Sequence, residues 1–113
     1  MNRYDLENNT IFTRFKRNDD IWDYSNPEKA QKKAFRWLGK KGILFRSTRK
    51  DKKYMVKNPD GKWIHFGQMG YEDFNKHRSL KRRNNYLLRA KNISGDWKKD
   101  KYSPNNLAIN ILW

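Results

Sequence analysis

The chain contains no cysteine. It therefore has no disulfide frame, no thiolate zinc site and no cysteine nucleophile. Histidine is almost as scarce, with two residues, and Asp plus Glu number 12 against 27 Lys plus Arg. A closed zinc site would need both histidines and two of those carboxylates, so no metal or other cofactor is expected. Hydrophobic residues make up 35% of the chain, below the roughly 45–50% of ordinary domains. No apolar run approaches the roughly 18–20 residues that cross a membrane, so no integral membrane segment is expected. The first 20 residues are mostly polar and include Asp5, Glu7, Asp19 and Asp20, which does not suit a secretory signal. Zinc-finger, RNP-type and GXXG signatures are missing too, as are internal repeats.

What remains is a basic, aromatic-rich chain of 113 residues with a formal net charge of +15. Its length suits one domain. Aromatics reach 15%, which separates it from disordered basic tails. The charge is uneven: residues 1–27 sum to −1, residues 28–57 to +10 and residues 58–113 to +6. A field of that sign attracts phosphates, acidic proteins or anionic headgroups. The change of character marks residues 1–26 as an N-terminal arm and residues 27–113 as a single basic α+β domain. The arm carries Ile11, Phe12, Phe15, Ile21 and Trp22, which either fold back on the domain or clip onto a neighbouring protein.

Local signals give the expected elements. Ser25 and Asn26 can cap a helix over 27–38, with Pro27 in its first turn and Gly39 at its end. Ala30, Ala34, Trp37 and Leu38 form its apolar stripe. Residues 43–47 read as a short strand. Asn58-Pro59-Asp60-Gly61 joins strands at 53–57 and 62–66 into a hairpin, giving a three-stranded antiparallel sheet with 43–47. Tyr71-Glu72-Asp73-Phe74 suggests a short helix starting after Gly70. Ser79 can cap a longer helix over 80–91, with Leu80, Leu87, Leu88 and Tyr86 as its buried face. Ser103-Pro104 opens a last helix, and Leu112 and Trp113 are expected to dock into the core. Most aromatics belong to that core, with Trp22 the expected exception.

Ile64-His65-Phe66-Gly67, Tyr71-Glu72-Asp73-Phe74, His77, Arg82-Arg83, Tyr86, Arg89, Trp97 and Leu112-Trp113 occur in this order. The order resembles a family of small basic proteins of unknown function encoded by large nucleocytoplasmic DNA viruses. It spans about residues 52–113. The chain departs from that pattern at Ala90, where a histidine is expected, and at Tyr102-Ser103-Pro104-Asn105, where a small-residue pair is expected. A catalytic role for that histidine would leave this chain inactive. The resemblance implies a viral source and a shared fold, but no activity. With it, the expected location is inside the host cell, in the cytoplasm, viral factory or nucleus, or in the virion.

Four groups of residues are candidates for function. The first is basic: Lys29, Lys32, Lys33, Arg36, Lys40 and Lys41, followed by Arg46, Arg49, Lys50, Lys52 and Lys53. These would contact phosphates with strong salt dependence. The bland alternative is a solvated lysine-rich surface. The second is Arg82-Arg83 with Arg78, Lys81 and Arg89. Arginine grips phosphate in a bidentate fork, and Arg82 and Arg89 are seven apart on one helix face. Alternatively Arg82 pairs with Glu72 or Asp73 to fix two helices. The third is His65 with Asp73 and His77, an acid–base pair or weak metal site, against a structural hydrogen bond from His65 that links hairpin to helix. The fourth is the aromatic set, where exposed Trp or Tyr would stack on unpaired bases.

The expected function is non-enzymatic binding of DNA or RNA through its backbone without sequence specificity, in viral genome packaging. The alternative is a minor capsid or core protein that bridges acidic protein surfaces. A small nuclease is a third reading, disfavoured by the shortage of carboxylates to hold metal ions.

Overall fold

The structure is a computed structural model and describes residues 11–113. Residues 1–10 of the expected arm lie outside the described residues. Two short helices come first, α1 (Ile11–Arg14) and α2 (Ile21–Tyr24). Ile11, Phe15 and Ile21 are buried. They share one apolar cluster with Ala30, Ala34, Leu44, Tyr54, Val56 and Phe66, so residues 11–26 pack into the domain's own core. Trp22, expected to be exposed, is half-buried. Its ring stacks on Phe12 and its Nε1 donates to the Lys16 carbonyl at 2.9 Å. An indole with a satisfied N–H has no need of solvent.

The main N-terminal helix, α3, spans Pro27–Leu38. Asn26 Oδ1 accepts the Lys29 N–H, Pro27 sits in the first turn, and Gly39 ends the helix at φ 79°, as the capping signals require. Its buried side includes Gln31 and Phe35 besides Ala30 and Ala34, while Trp37 and Leu38 cover the core edge. Gln31 is buried because it is fully engaged. Its Nε2 donates to the Gly42 carbonyl at 2.7 Å, and its Oε1 accepts from the Leu44 N–H and from Arg14.

The three strands are β1 (Phe45–Arg46), β2 (Lys52–Lys57) and β3 (Trp63–Gln68), antiparallel in that order. Tyr54 pairs with Phe66 and Val56 with Ile64. At the hairpin, Asn58 Oδ1 accepts the N–H groups of Asp60 and Lys62, and Gly61 takes φ 83°. The α+β class and the three-stranded sheet match the sequence reading.

Two local expectations are corrected. The short helix, α4, spans Phe74–His77 and does not start after Gly70. Asp73 occupies its N-cap position without capping it, because its carboxylate is held by Lys53 instead. The long helix, α5, does span Leu80–Lys91, with Ser79 Oγ accepting the Arg82 N–H. Its covered side matches the expected one in part: Tyr86 and Leu87 are half-buried, Leu80 and Leu88 are not. Leu80 is 67% and Leu88 66% exposed. The covered strip is Arg83, Tyr86 and Ala90, spaced three and four apart as one helix face requires. Arg83 Nε donates to the Trp113 carbonyl, Tyr86 stacks on Trp113, and the Ala90 carbonyl accepts from Asn105. The helix meets α4 and the C-terminal segment and is otherwise open to solvent, so only a narrow stripe is covered.

That segment begins with α6 (Pro104–Leu107), capped by Ser103 Oγ, and continues as a π-helical turn over Ala108–Leu112. Leu107, Ile111 and Leu112 are buried in the core and Trp113 packs against it, so the expected docking of Leu112 and Trp113 is met. Among the described residues no helix is long and apolar enough to cross a membrane.

Candidate nucleic-acid interface

The docking of α5 across the C-terminal segment leaves a groove on one side of the contact. Its volume is about 630 Å³, within the range of ligand-sized clefts. One wall comes from α5, where Arg82, Asn85 and Arg89 face the same side. The other wall comes from the strand ends at Lys52 and Gln68 and from Tyr71 beyond them. Tyr86 and Trp113 lie between, stacked at 4.2 Å with their planes 10° apart. Tyr71 is 70% exposed, a flat ring open to solvent. Arg82 Nη1 is 3.6 Å from Glu72 Oε1, but both side chains are well exposed. Such a pair contributes little to stability and leaves the guanidinium free to exchange partners. The groove thus combines cations on its rim with stacked rings on its floor. Cations and rings so placed can take anionic groups and planar rings.

On the other side of Trp113 is a second, shallower depression of about 280 Å³. Lys33 and Arg36 reach it from α3, and Arg83 from α5. Close by, three cations surround the Phe74 ring. The Arg78 guanidinium carbon is 4.6 Å from the centroid, Lys33 Nζ 5.5 Å and the Arg83 guanidinium carbon 5.6 Å. Burial, together with Arg78, Arg36 and Arg83, lowers the Lys33 ammonium to about 8, against the weaker opposing pull of Asp73.

Of the remaining predicted basic residues, Lys29, Lys32, Lys40, Lys41, Lys50 and Lys81 are exposed but outside both depressions. Arg49 is exposed and pairs with Asp51 at 3.3 Å. Arg46 is half-buried; its Nε is 3.1 Å from Asp19 Oδ1 and its Nη1 donates to the Lys52 carbonyl, so it ties α2's approach to the sheet. Lys53 is a correction. It is 2% exposed, and its Nζ donates to the Tyr71 carbonyl at 2.6 Å and to Asp73 Oδ2 at 3.2 Å. Burial pushes the Lys53 ammonium down and the Asp73 carboxyl up, while their mutual attraction opposes both shifts. Lys53 therefore lines the groove with its ammonium already engaged.

His65, Asp73 and His77 do separate jobs. His65 Nδ1 is 2.7 Å from Ser47 Oγ, so its hydrogen bond joins β3 to the end of β1, not to a helix. His77 Nδ1 accepts the Ser79 N–H, and its ring lies 5.2 Å from Trp113. Burial, and then the neighbouring Arg82, lowers the His77 imidazolium, so the ring is held neutral. Asp73 is committed to Lys53. No His, Asp and Glu residues group to hold a metal ion among the described residues.

Asn85 and Asn105 were not singled out from the sequence, and Tyr71, one of the aromatics expected mostly in the core, is instead exposed at the groove. Tyr71 had one signal, its place after Gly70 in a polar stretch. Asn85 had its position midway between Arg82 and Arg89, on the same helix side.

Residues 42–90 match the model of a family of unknown function, DUF5754. No curated protein and no solved structure matches the chain. The DUF5754 match takes in the sheet, the Lys53–Asp73 pair, α4 and the groove arginines Arg82 and Arg89. It leaves out Lys33, Arg36 and Trp113. The resemblance seen in the sequence is thus met at the level of an uncharacterised family.

Proposed function

We propose that this chain binds nucleic acid through its phosphate backbone, without reading sequence and without catalysis. The observation that supports it is the groove: Lys52, Arg82 and Arg89 line it over the Tyr86–Trp113 stack, with Tyr71 exposed at its side. Cations on the rim suit phosphates, and the rings suit unpaired bases of any identity. The exposed lysines of α3 add attraction at longer range. In the viral setting that the sequence resemblance implies, such a protein serves genome packaging.

Leu80, Leu88 and Ile93, all exposed along and just past α5, support a second reading, a structural component that meets a protein surface. Binding to labelled single-stranded and double-stranded DNA and RNA across a salt series separates the two. Tight binding that weakens steeply with salt, and a preference for single strands, is the expected result. Absence of binding at moderate salt overturns the first reading and leaves the second.

A further inference from the structure

Four cations meet where α3, the end of α4 and α5 converge: Lys33, Arg36, Arg78 and Arg83. Among the described residues no carboxylate forms an ion pair with any of them. Asp73, the acid that acts on Lys33, is paired with Lys53. The Phe74 ring offsets part of the repulsion through its face, but it carries no charge. Arg78 also sits at φ 61°, the single non-glycine residue with positive φ among the described residues. A bulky side chain in that conformation is unfavourable by about 1 kcal/mol or more. Glycine is the ordinary occupant of a helix C-terminus of this shape. Against that strain, the conformation places the Arg78 guanidinium carbon 4.6 Å from the Phe74 centroid, beside Lys33 and Arg83.

The depression is lined by Lys33, Arg36 and Arg83, with Arg78 close by over Phe74, and it shares Trp113 with the groove. Arg82 and Arg83, neighbours on α5, face the groove and the depression respectively. We infer that the depression binds a phosphomonoester dianion, and that the groove and this pocket together seat a nucleic-acid strand at its phosphorylated end. A phosphodiester carries one negative charge. A terminal phosphate carries close to two, with three acceptor oxygens, and suits a four-cation site better. The pocket is independent of the groove reading, whereas the strand-end assignment rests on it. The depressed Lys33 ammonium accords with a site whose positive charge is balanced only when an anion is bound.

The test compares one short single-stranded oligonucleotide with a 5′-phosphate, a 3′-phosphate or hydroxyl ends, alongside a mononucleotide and inorganic phosphate. The wild-type chain is set against Arg36→Gln and Arg78→Gly. One phosphorylated form is expected to bind about tenfold tighter than the hydroxyl form. Both variants are expected to erase that difference while keeping the hydroxyl oligonucleotide's affinity, with Arg36→Gln melting like wild type and Arg78→Gly melting at or above it. Equal binding of all three oligonucleotides overturns the strand-end inference and leaves the groove reading standing. Binding of the mononucleotide or phosphate alone, lost in both variants, with no oligonucleotide bound, keeps the pocket and overturns the groove reading. No binding of any probe overturns both.

Discussion

Lys53 Nζ lies 3.2 Å from Asp73 Oδ2, with the lysine side chain 3% and the aspartate side chain 0% exposed. This pair joins β2 to the residue that precedes α4, and the Asp73 N–H donates to the Tyr24 carbonyl of α2. Three parts of the chain that are distant in sequence are thereby held at one buried point. Breaking a buried pair from one side strands a charge and typically destabilises by about 3–5 kcal/mol. Lys53→Met is expected to fall in that range in denaturant unfolding, and Asp73→Leu added to it is expected to restore a large part. Single variants within about 1 kcal/mol of wild type would show that the pair does not hold the fold.

Lys33 sets a pH dependence. Its folded value, about 8, lies below the ordinary lysine value of 10.5. Between these values the unfolded chain binds more protons at this site than the folded one, so stability rises with pH. The contribution is complete above about 10.5 and is lost as pH falls through about 8. Lys33→Met removes it. The difference in melting temperature between wild type and variant should therefore change across that window, with the variant gaining relative to wild type on the acid side. A constant difference from pH 7 to 10.5 would contradict the assignment.

Gly67 is where the sheet admits the C-terminal segment. A Cβ there would stand 2.8 Å from Leu112 Cδ1, and the residue has φ 84°. Gly61 has nearly the same φ, 83°, with nothing within 4 Å. Gly61→Ala should show backbone strain alone, about 1–2 kcal/mol. Gly67→Ala should show strain plus the clash, about 2–4 kcal/mol. Equal losses in thermal or denaturant unfolding would mean that Leu112 does not seat against Gly67.

Tyr71 tests the stacking half of the proposed function. Its ring is exposed, so Tyr71→Ala should leave stability within about 0.5 kcal/mol. Single-strand affinity should fall by about 1–3 kcal/mol if a base stacks on the ring. Duplex affinity should stay unchanged. An equal loss on duplex and single strand would place the ring outside any stack.

Local chemistry made much of the fold legible. Asn26-Pro27 and Ser79 start their helices where capping predicts, and Asn58-Pro59-Asp60-Gly61 turns the hairpin. The side of α5 that is covered was legible only in part, at Tyr86 and Leu87. Leu80 and Leu88 follow the apolar period, yet the neighbour that covers the helix is Trp113, 30 residues from Arg83. The strip is therefore chosen by an arginine–carbonyl bond and a ring stack, which hydrophobic periodicity does not register. Lys53 was illegible for a similar reason. A lysine in a basic run looks solvated until its partner 20 residues away closes over it. Arg82 and Arg89 could be grouped from their spacing, because one helix carries both. Arg78 and Arg83 were grouped with them, but Lys33 was not, because it reaches Phe74 from α3, more than 40 residues earlier in the chain.

The central claim is that the groove holds phosphates. Its most direct measurement is the slope of log affinity against log salt for single-stranded DNA, in wild type and in Arg82→Gln with Arg89→Gln. Each lost phosphate contact should lower the slope by about 0.7 on a single strand. The double variant is expected to lose about 1.4 in slope and to keep its fold, since both side chains are exposed. A control, Lys40→Gln with Lys41→Gln, removes the same charge outside the groove and should change the slope much less. Equal changes in the two double variants would contradict the account, because binding would then follow net charge and not this site.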